Sequence, residues 1–357
     1  MAGSRSAFGE GLDKRMELRV IDAGLVGAAH SQSLWHGIAS AMETGDVPTL
    51  SFCQPAAPYV CLGYHGRLDE IDLRACQALG LPILRRQIGG GPVYIDSDQL
   101  FFQITLPEGR APASVARLYR ELLAPAVVAF RRLGLDARLD GLNDIVVSDR
   151  KLSGTGAGRI GAAVTVVGNV IFRFPHERMA RVLALPSDAT RADYLRLLRR
   201  YVSSLEAEGR FGVDVERVKE SLQSAYSAGL NLTLRCDRLT PAERSAIDRW
   251  ELCFRDPDWL AGPALPPRRV RTVKVRDGVW MLILNSDGLS GTVCIVEGKI
   301  ERARLEASWL PGRARAMSRA LTGVSATQPA LQIKLHPFGE AGLRTFETLA
   351  PAVTRLK

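Results

Sequence analysis

Apolar side chains fall into helical spacing early in the chain. Leu34, Ile38, Ala41 and Met42 share a face and Gly45 follows, which predicts a helix over 33–44. Short apolar runs then predict strands over 49–52 and 59–62, a helix over 73–79 stopped by Gly80, and a strand over 81–86. Beyond Gly89, Gly90 and Gly91, the residues Leu100, Phe102, Ile104 and Leu106 alternate with Phe101, Gln103 and Thr105, the period of a half-buried strand. The three glycines therefore link strands. Val115, Leu118, Leu122, Phe130 and Leu133 trace a long amphipathic helix over 114–133, ended by Gly134. After it, DIVVS, KLSGTG and AAVTVVGNVIFRF read as strands between turn residues, and helices are expected over 175–185, 191–208 and 215–228.

Thr240, Pro241 and Glu243 place an N-cap, a first-turn proline and the acid of a capping box in register, so a helix starts there. Proline, glycine and arginine then concentrate in RDPDWLAGPALPPRRVR, a domain boundary by composition. Two hairpins follow, turning at Arg276-Asp277-Gly278 and at Glu297-Gly298, with helices over 311–321 and 340–356 to cover them. The pattern predicts an α/β (α+β) chain: a mixed β-sheet domain with flanking helices over 15–260, then a small C-terminal α+β accessory domain over 265–357.

With 357 residues, 46% hydrophobic and 24% charged, the chain has the composition of a globular protein. No apolar run approaches the roughly 18 residues of a membrane span, and the N-terminus lacks the apolar core of a secretory signal, so a cytoplasmic, membrane-free protein is expected. Six scattered cysteines, Cys53, Cys61, Cys76, Cys236, Cys253 and Cys294, indicate buried thiols rather than a zinc site or disulfide frame. A net charge of +9 favours anionic partners. Nucleic acid is disfavoured among them, because only 6% of residues are aromatic and no recognition-helix, RRM or zinc pattern accompanies RRVRTVKVR.

Two clusters bear chemistry. In LRRQIGGGPVYIDSD, three adjacent glycines lose much backbone entropy on folding, which a turn or a ligand must offset, and Arg85 and Arg86 add fixed positive charge. The loop is neither a Walker loop nor a dinucleotide fingerprint. In GLNDIVVSDRKLSGTG, Lys151 follows a tight turn and leads into small residues over which a ligand can lie flat. Alone, each has a plain alternative, a connecting turn or a solvated lysine. The order RRxxGGGxVY, then LNDIVV, then DRKLSG is far more specific, and over roughly residues 30–260 it resembles the lipoate–protein ligase A family.

That resemblance implies activation of lipoate or octanoate with ATP and Mg²⁺ to an acyl-adenylate (lipoyl-AMP), and transfer of the acyl group to a carrier lysine. The carrier implied is a 2-oxoacid dehydrogenase E2 lipoyl domain, a glycine-cleavage H protein or a related lipoate-binding protein, with a monomeric enzyme. Lys151 carries over as the catalytic residue, contacting the oxygens of the mixed anhydride. Arg85, favoured over Arg86, takes phosphate, and Gly89, Gly90 and Gly91 line the acyl tunnel or phosphate pocket, with Val93 and Tyr94 beside the ligand. Asn143, Ser153, Gly154, Thr155 and Gly168 complete the adenylate contacts. Asp144 is a candidate for Mg²⁺, for adenosine, or for a buried ion pair with Lys151. Departures stand at Pro92, which lacks an N–H, and at Ile95 and Val167, where the family often has histidine. Octanoyltransferases share the implied fold but work through a cysteine thioester, and no cysteine lies between Pro107 and Phe174.

Overall fold

The computed structural model describes residues 16–356 apart from 267, 287 and 310. The stretch read for a secretory signal, the first residue of the expected 15–260 domain, and Pro267 of the boundary segment lie outside the described residues. The chain divides into two units, residues up to 182 with 203–263, and residues 183–202 with 264 onward.

In the first unit the chain runs β1 (Glu17–Val26), α1 (Ala28–Ala41), β2 (Thr49–Pro55), β3 (Tyr59–Leu62), α2 (Leu73–Ala78), β4 (Ile83–Arg85), β5 (Val93–Ile95) and β6 (Gln99–Pro107). It continues through α3 (Val115–Arg132), β7 (Ala137–Asp140), β8 (Asp144–Val147), β9 (Arg150–Ser153), β10 (Thr155–Ile160), β11 (Ala163–Ile171) and α4 (His176–Val182). After α5 (Asp188–Tyr201), a helix of the second unit, it returns as α6 (Val215–Leu230), β12 (Thr233–Cys236), α7 (Pro241–Cys253) and α8 (Pro257–Ala261).

Six strands form a mixed sheet in the order β10-β11-β6-β2-β1-β12, with β1 parallel to both neighbours and the other pairs antiparallel. Leu100, Phe102, Ile104 and Leu106 of β6 pack against α3 and α6, as the alternation predicts. The opposite face of β6 is also buried, so the strand is not half-exposed. Phe101 joins a second core with α1 and α7, Gln103 accepts from Ser51 at 2.7 Å, and Thr105 meets Thr165 at 3.0 Å. Polar residues on that face are tolerated because they satisfy one another. Two three-stranded sheets, β4-β3-β5 and β7-β8-β9, flank the main one.

Helix α1 begins at residue 28, earlier than the apolar period predicts. Ser31, Gln32, Ser33 and His36 are buried polar residues within it, and Ser31 and Gln32 bond the Tyr59 hydroxyl at 2.8 and 2.7 Å. The capping box of α7 forms as expected, Thr240 Oγ1 accepting from the Glu243 amide and Glu243 from the Thr240 amide. Glu243 has a second role invisible in its local sequence. It takes the guanidinium of buried Arg19 on β1 at 2.5 and 2.7 Å, tying α7 to the sheet.

In the second unit, β13 (Val270–Arg276), β14 (Val279–Ser286), β15 (Leu289–Val296) and β16 (Lys299–Ala307) form an antiparallel meander in that order. Helices α9 (Pro311–Leu321), α10 (Gln328–Leu335), not anticipated, and α11 (Glu340–Thr354) cover a core containing Leu282, Val293, Ile295, Met317, Leu331 and Leu349. Helix α5 groups here, although the expected 15–260 domain includes it. Its buried Asp193 accepts from Arg302 at 3.2 Å and Arg304 at 3.4 Å, and Arg196 donates to Glu301 at 2.9 Å.

Removing Glu243 takes two contacts from Arg19 and leaves it Asp237 at 3.2 Å and the Arg238 carbonyl at 2.8 Å. Glu243→Ala is therefore expected to lower the unfolding free energy of the first unit by about 2–3 kcal/mol, read from a urea midpoint. A loss below about 1 kcal/mol, the value of a cap alone, would show that Asp237 suffices for Arg19.

Candidate active site

Lys151 stands on β9 just after a turn through Ser148, whose φ is +48°. Val146 is opposite Lys151 and Ile145 opposite Ser153, so Leu152 is an extra residue on β9. The bulge sends Leu152 into the core beneath α3 and re-aims the lysine beside it. Lys151 Nζ lies 2.7 Å from Asp144 Oδ1, with the carboxylate 1% and the lysine side chain 21% exposed. Of the roles open to Asp144 in the sequence, the ion pair is thus present. The Lys151 carbonyl accepts from Ser203 at 2.8 Å, which fixes the strand from the other side.

From Lys151 a surface of glycines runs along β10. A Cβ on Gly154 would lie 4.0 Å from Lys151 Cε, so the lysine arm passes over that residue. Two and four residues on, a Cβ on Gly156 or Gly158 would meet Ile88 at 2.9 or 2.5 Å. Ile88 immediately precedes the three glycines, so its seat on β10 brings that turn to the same face as the lysine. Arg86 holds the turn from below, donating to the carbonyls of Gly89 at 2.8 Å and Gly91 at 3.0 Å. Gly90 has φ +100°, open to glycine alone at little cost. Gly89, Gly90 and Gly91 are exposed, and their amides donate to nothing among the described residues. An ammonium thus stands over Gly154, and beyond the Ile88 side chain seated on Gly156 and Gly158 comes a row of open peptide N–H groups, donors suited to an anion.

Three expected contacts have other tasks. Arg85 is 1% exposed, and its five N–H donors go to the carbonyls of Gly63, Tyr64, Gly66, Leu260 and Ala261, so none is left for phosphate. It clamps α8 to the loop after β3, and of the two arginines it is Arg86 that meets the glycine turn. Tyr94 is buried, with its hydroxyl held by Arg178 at 2.9 Å, so only the exposed Val93 of that pair faces outward. Gly168 lies on the far face of β11, where a Cβ would fall 2.2 Å from the buried ring of Phe102. Its glycine is a packing requirement of the core.

The other predicted residues do gather. Asn143 Nδ2 donates to the Thr155 carbonyl at 2.9 Å, and Thr155 Oγ1 donates back to the Asn143 carbonyl, locking the entry of β8 to β10. Ser153 Oγ is buried with no hydrogen-bond partner among the described residues, a polar atom next to Gly154 that suits a polar ligand. Among the described residues no group of three or more His, Cys, Asp or Glu is placed to hold a metal, so Asp144 offers a single carboxylate.

Two supports carry no sequence signal of their own. Asn169, one residue beyond Gly168 and hence on the opposite face, accepts the Gly154 amide at 2.7 Å and donates to Gln99 at 2.9 Å. His36 Nε2 accepts the Gln87 amide at 3.0 Å, and Nδ1 contacts the Gln32 carbonyl at 2.6 Å. The aromatic rings of Trp35, Trp250 and Phe254 surround it. Burial pushes its pKa down to about 3, so the neutral ring acts as the acceptor that anchors the approach to the glycine turn. No cysteine lies on β8 to β11. Cys61 is fully buried, and burial raises its thiol; Cys53 is pushed up to about 12.

Arg85→Lys is expected to cost roughly 3 kcal/mol of stability by leaving buried carbonyls unpaired, with pyrophosphate affinity of the folded fraction unchanged. Full stability with lost affinity would return Arg85 to an anion-binding role. His36 supplies a pH test. Its folded pKa is depressed, so its contribution is complete above the unfolded value of 6.5 and falls as pH drops below it, by about 1.4 kcal/mol per pH unit. His36→Gln should flatten that slope in denaturant titrations between pH 6.5 and 5; an unchanged slope assigns it to other groups.

Residues 30–227, more than half of the chain, match the lipoyl protein ligase A/B catalytic domain. The octanoyltransferase LipM of Geobacillus kaustophilus is 24% identical over 257 residues, 64% of this chain and 92% of that one. Lipoate-protein ligase A subunit 1 of Thermoplasma acidophilum is 25% identical over 232 residues, 62% and 87% of the two chains. Among solved structures, a chain of the bi-partite lipoate protein ligase system of T. acidophilum aligns with TM-score 0.65 at 24% identity, covering 71% of this chain and 99% of that one. P. falciparum LipL1 in complex with lipoate aligns with TM-score 0.57 at 12% identity, covering 95% and 99%. These structures share the mixed-sheet fold read from the sequence. The chain belongs to the lipoyl protein ligase A/B catalytic domain family and is an enzyme of its lipoate and octanoate ligase–transferase group.

Proposed function

We propose that this enzyme is an ATP-dependent lipoate–protein ligase. The observation that carries this reading is the Lys151–Asp144 pair over Gly154, with the exposed amides of Gly89 to Gly91 beyond Ile88 and no cysteine on β8 to β11. In the first half-reaction a lipoate or octanoate carboxylate oxygen attacks the α-phosphorus of ATP and pyrophosphate leaves. Bringing two anions together requires fixed positive charge, and Lys151 supplies it at the bridging oxygens, oriented by a carboxylate that solvent barely reaches. The amides of Gly89 to Gly91, held by Arg86, receive phosphate or acyl oxygens, and Ser153 Oγ gains the partner it lacks. Mg²⁺ would neutralise phosphate charge through phosphate oxygens and water, since the one nearby carboxylate, Asp144, is buried and taken up by Lys151. In the second half-reaction a carrier lysine attacks the acyl carbonyl and AMP leaves, with Lys151 stabilising the departing phosphate. The carrier is a lipoyl domain, the kind of partner present in the T. acidophilum lipoylation system.

The LipM relatives favour a second reading, octanoyl transfer without nucleotide. That chemistry needs a thiolate within reach of the acyl group, and burial holds Cys61 and Cys53 as thiols. The two readings separate in one experiment, intact-mass analysis of an apo lipoyl domain with lipoate, Mg-ATP and enzyme. A gain of lipoyl mass that needs ATP, falls at least 1000-fold in Lys151→Ala and survives Cys61→Ala and Cys53→Ala is expected. Acylation from an octanoyl thioester donor without ATP, abolished by either cysteine substitution, would replace ligation with transfer.

A further inference from the structure

Asp96 stands one residue beyond β5, on the strand that leaves the glycine turn, and it is only 9% exposed. Its Oδ1 accepts the Asp98 amide at 3.1 Å and faces Gln99 Nε2 at 3.5 Å, while Nε2 also donates to the Tyr94 carbonyl at 3.3 Å. Gln99 Oε1 accepts Asn169 Nδ2 at 2.9 Å, and Asn169 Oδ1 accepts the Gly154 amide at 2.7 Å. Gln99 and Asn169 are buried diagonal neighbours on β6 and β11. One line of polar contacts therefore runs from the segment after the glycines to the residue beneath Lys151.

The direction of this line is set at both ends. A peptide N–H can only donate, so Asn169 turns its oxygen to Gly154 and its nitrogen to Gln99. A carbonyl and an ionised carboxylate can only accept, so Gln99 turns its nitrogen to Tyr94 and Asp96 and its oxygen to Asn169. Without Gln99, Asn169 is free to rotate and set Nδ2 against the Gly154 N–H, donor against donor. The consequence reaches the lysine. A Cβ on Gly154 would lie 3.6 Å from Asn169 Oδ1 and 4.0 Å from Lys151 Cε, so the polar line and the lysine arm meet on this residue.

We propose that Gln99 is a positioning residue for acyl-adenylate formation: anchored on the Tyr94 carbonyl and Asp96, it orients Asn169, which holds the Gly154 amide and so the path of the Lys151 side chain. The proposal rests on the ligase reading of this site. Gln99→Met, Gln99→Glu and Gln99→Glu with Asp96→Asn test it, each read by ATP–pyrophosphate exchange with lipoate and by hydrogen exchange of the Gly154 amide. Methionine fills the space and breaks the line, and glutamate sets two carboxylates against each other. Both should lower kcat about tenfold, leave the KM for ATP within about twofold, and speed Gly154 exchange about tenfold. In the paired variant the carboxylate has moved one link along and the new amide at position 96 donates to it, so the direction is kept. There kcat and Gly154 protection should return to within about threefold of the natural chain. Unchanged Gly154 exchange or unchanged kcat in folded Gln99→Met, or no recovery in the paired variant, overturns the proposal. A natural chain without ATP–pyrophosphate exchange overturns the ligase reading instead, and Gly154 exchange still decides whether Gln99 holds that amide.

Discussion

A carboxylate almost shut off from water, 2.7 Å from a lysine that water still reaches, sets the terms for the rest of the first unit. Asp144 is tolerable in its position only with a cation beside it, and Lys151 reaches it only because the bulge at Leu152 turns the strand. The lysine then lies over Gly154, with its Cε 4.0 Å from where a Cβ would stand. The neighbouring glycines leave room for Ile88, and Ile88 seats the glycine turn. Each step is a short-range steric or electrostatic demand, and together they connect one ammonium to a row of peptide amides by way of the Ile88 side chain.

The elements that hold this arrangement are buried and contribute no reacting atoms. Arg85 joins five carbonyls from α8 and the loop after β3, and His36 accepts one amide from inside an aromatic cage. Both carry functional groups that resemble active-site chemistry, yet every polar atom of theirs already has a partner. Satisfied buried groups of this kind stiffen a site. Ser153 is the contrasting case, a buried hydroxyl whose own structure leaves it wanting.

Local signals in the sequence were sound where the physics is local. The glycine turn, the lysine after a hairpin, the capping box at Thr240 and the two C-terminal hairpins depend on near neighbours, and all stand as expected. The failures concern what arrives from afar. The alternation along β6 marks one core, but a central strand has a second, built from residues such as Ser51 and Thr165 that no local pattern associates with it. Gly168 and Asn169 differ by one position in a strand, which suffices to exchange core for site. Arg85 and Arg86 likewise point to opposite sides, and only the packing of α8 shows which is used up.

Helix α5 adds a constraint on how the gene can be edited. The second unit is discontinuous, taking residues 183–202 from the middle of the chain. A stop codon after residue 263 would delete the meander yet leave behind a helix whose Asp193 is buried with two arginines of that meander and whose Tyr201 ring lies under Arg276. The truncated product would carry a carboxylate stripped of its two arginines and an uncovered apolar stripe through Tyr194 and Leu197. A soluble minimal enzyme would have to excise that helix as well, with a linker in its place.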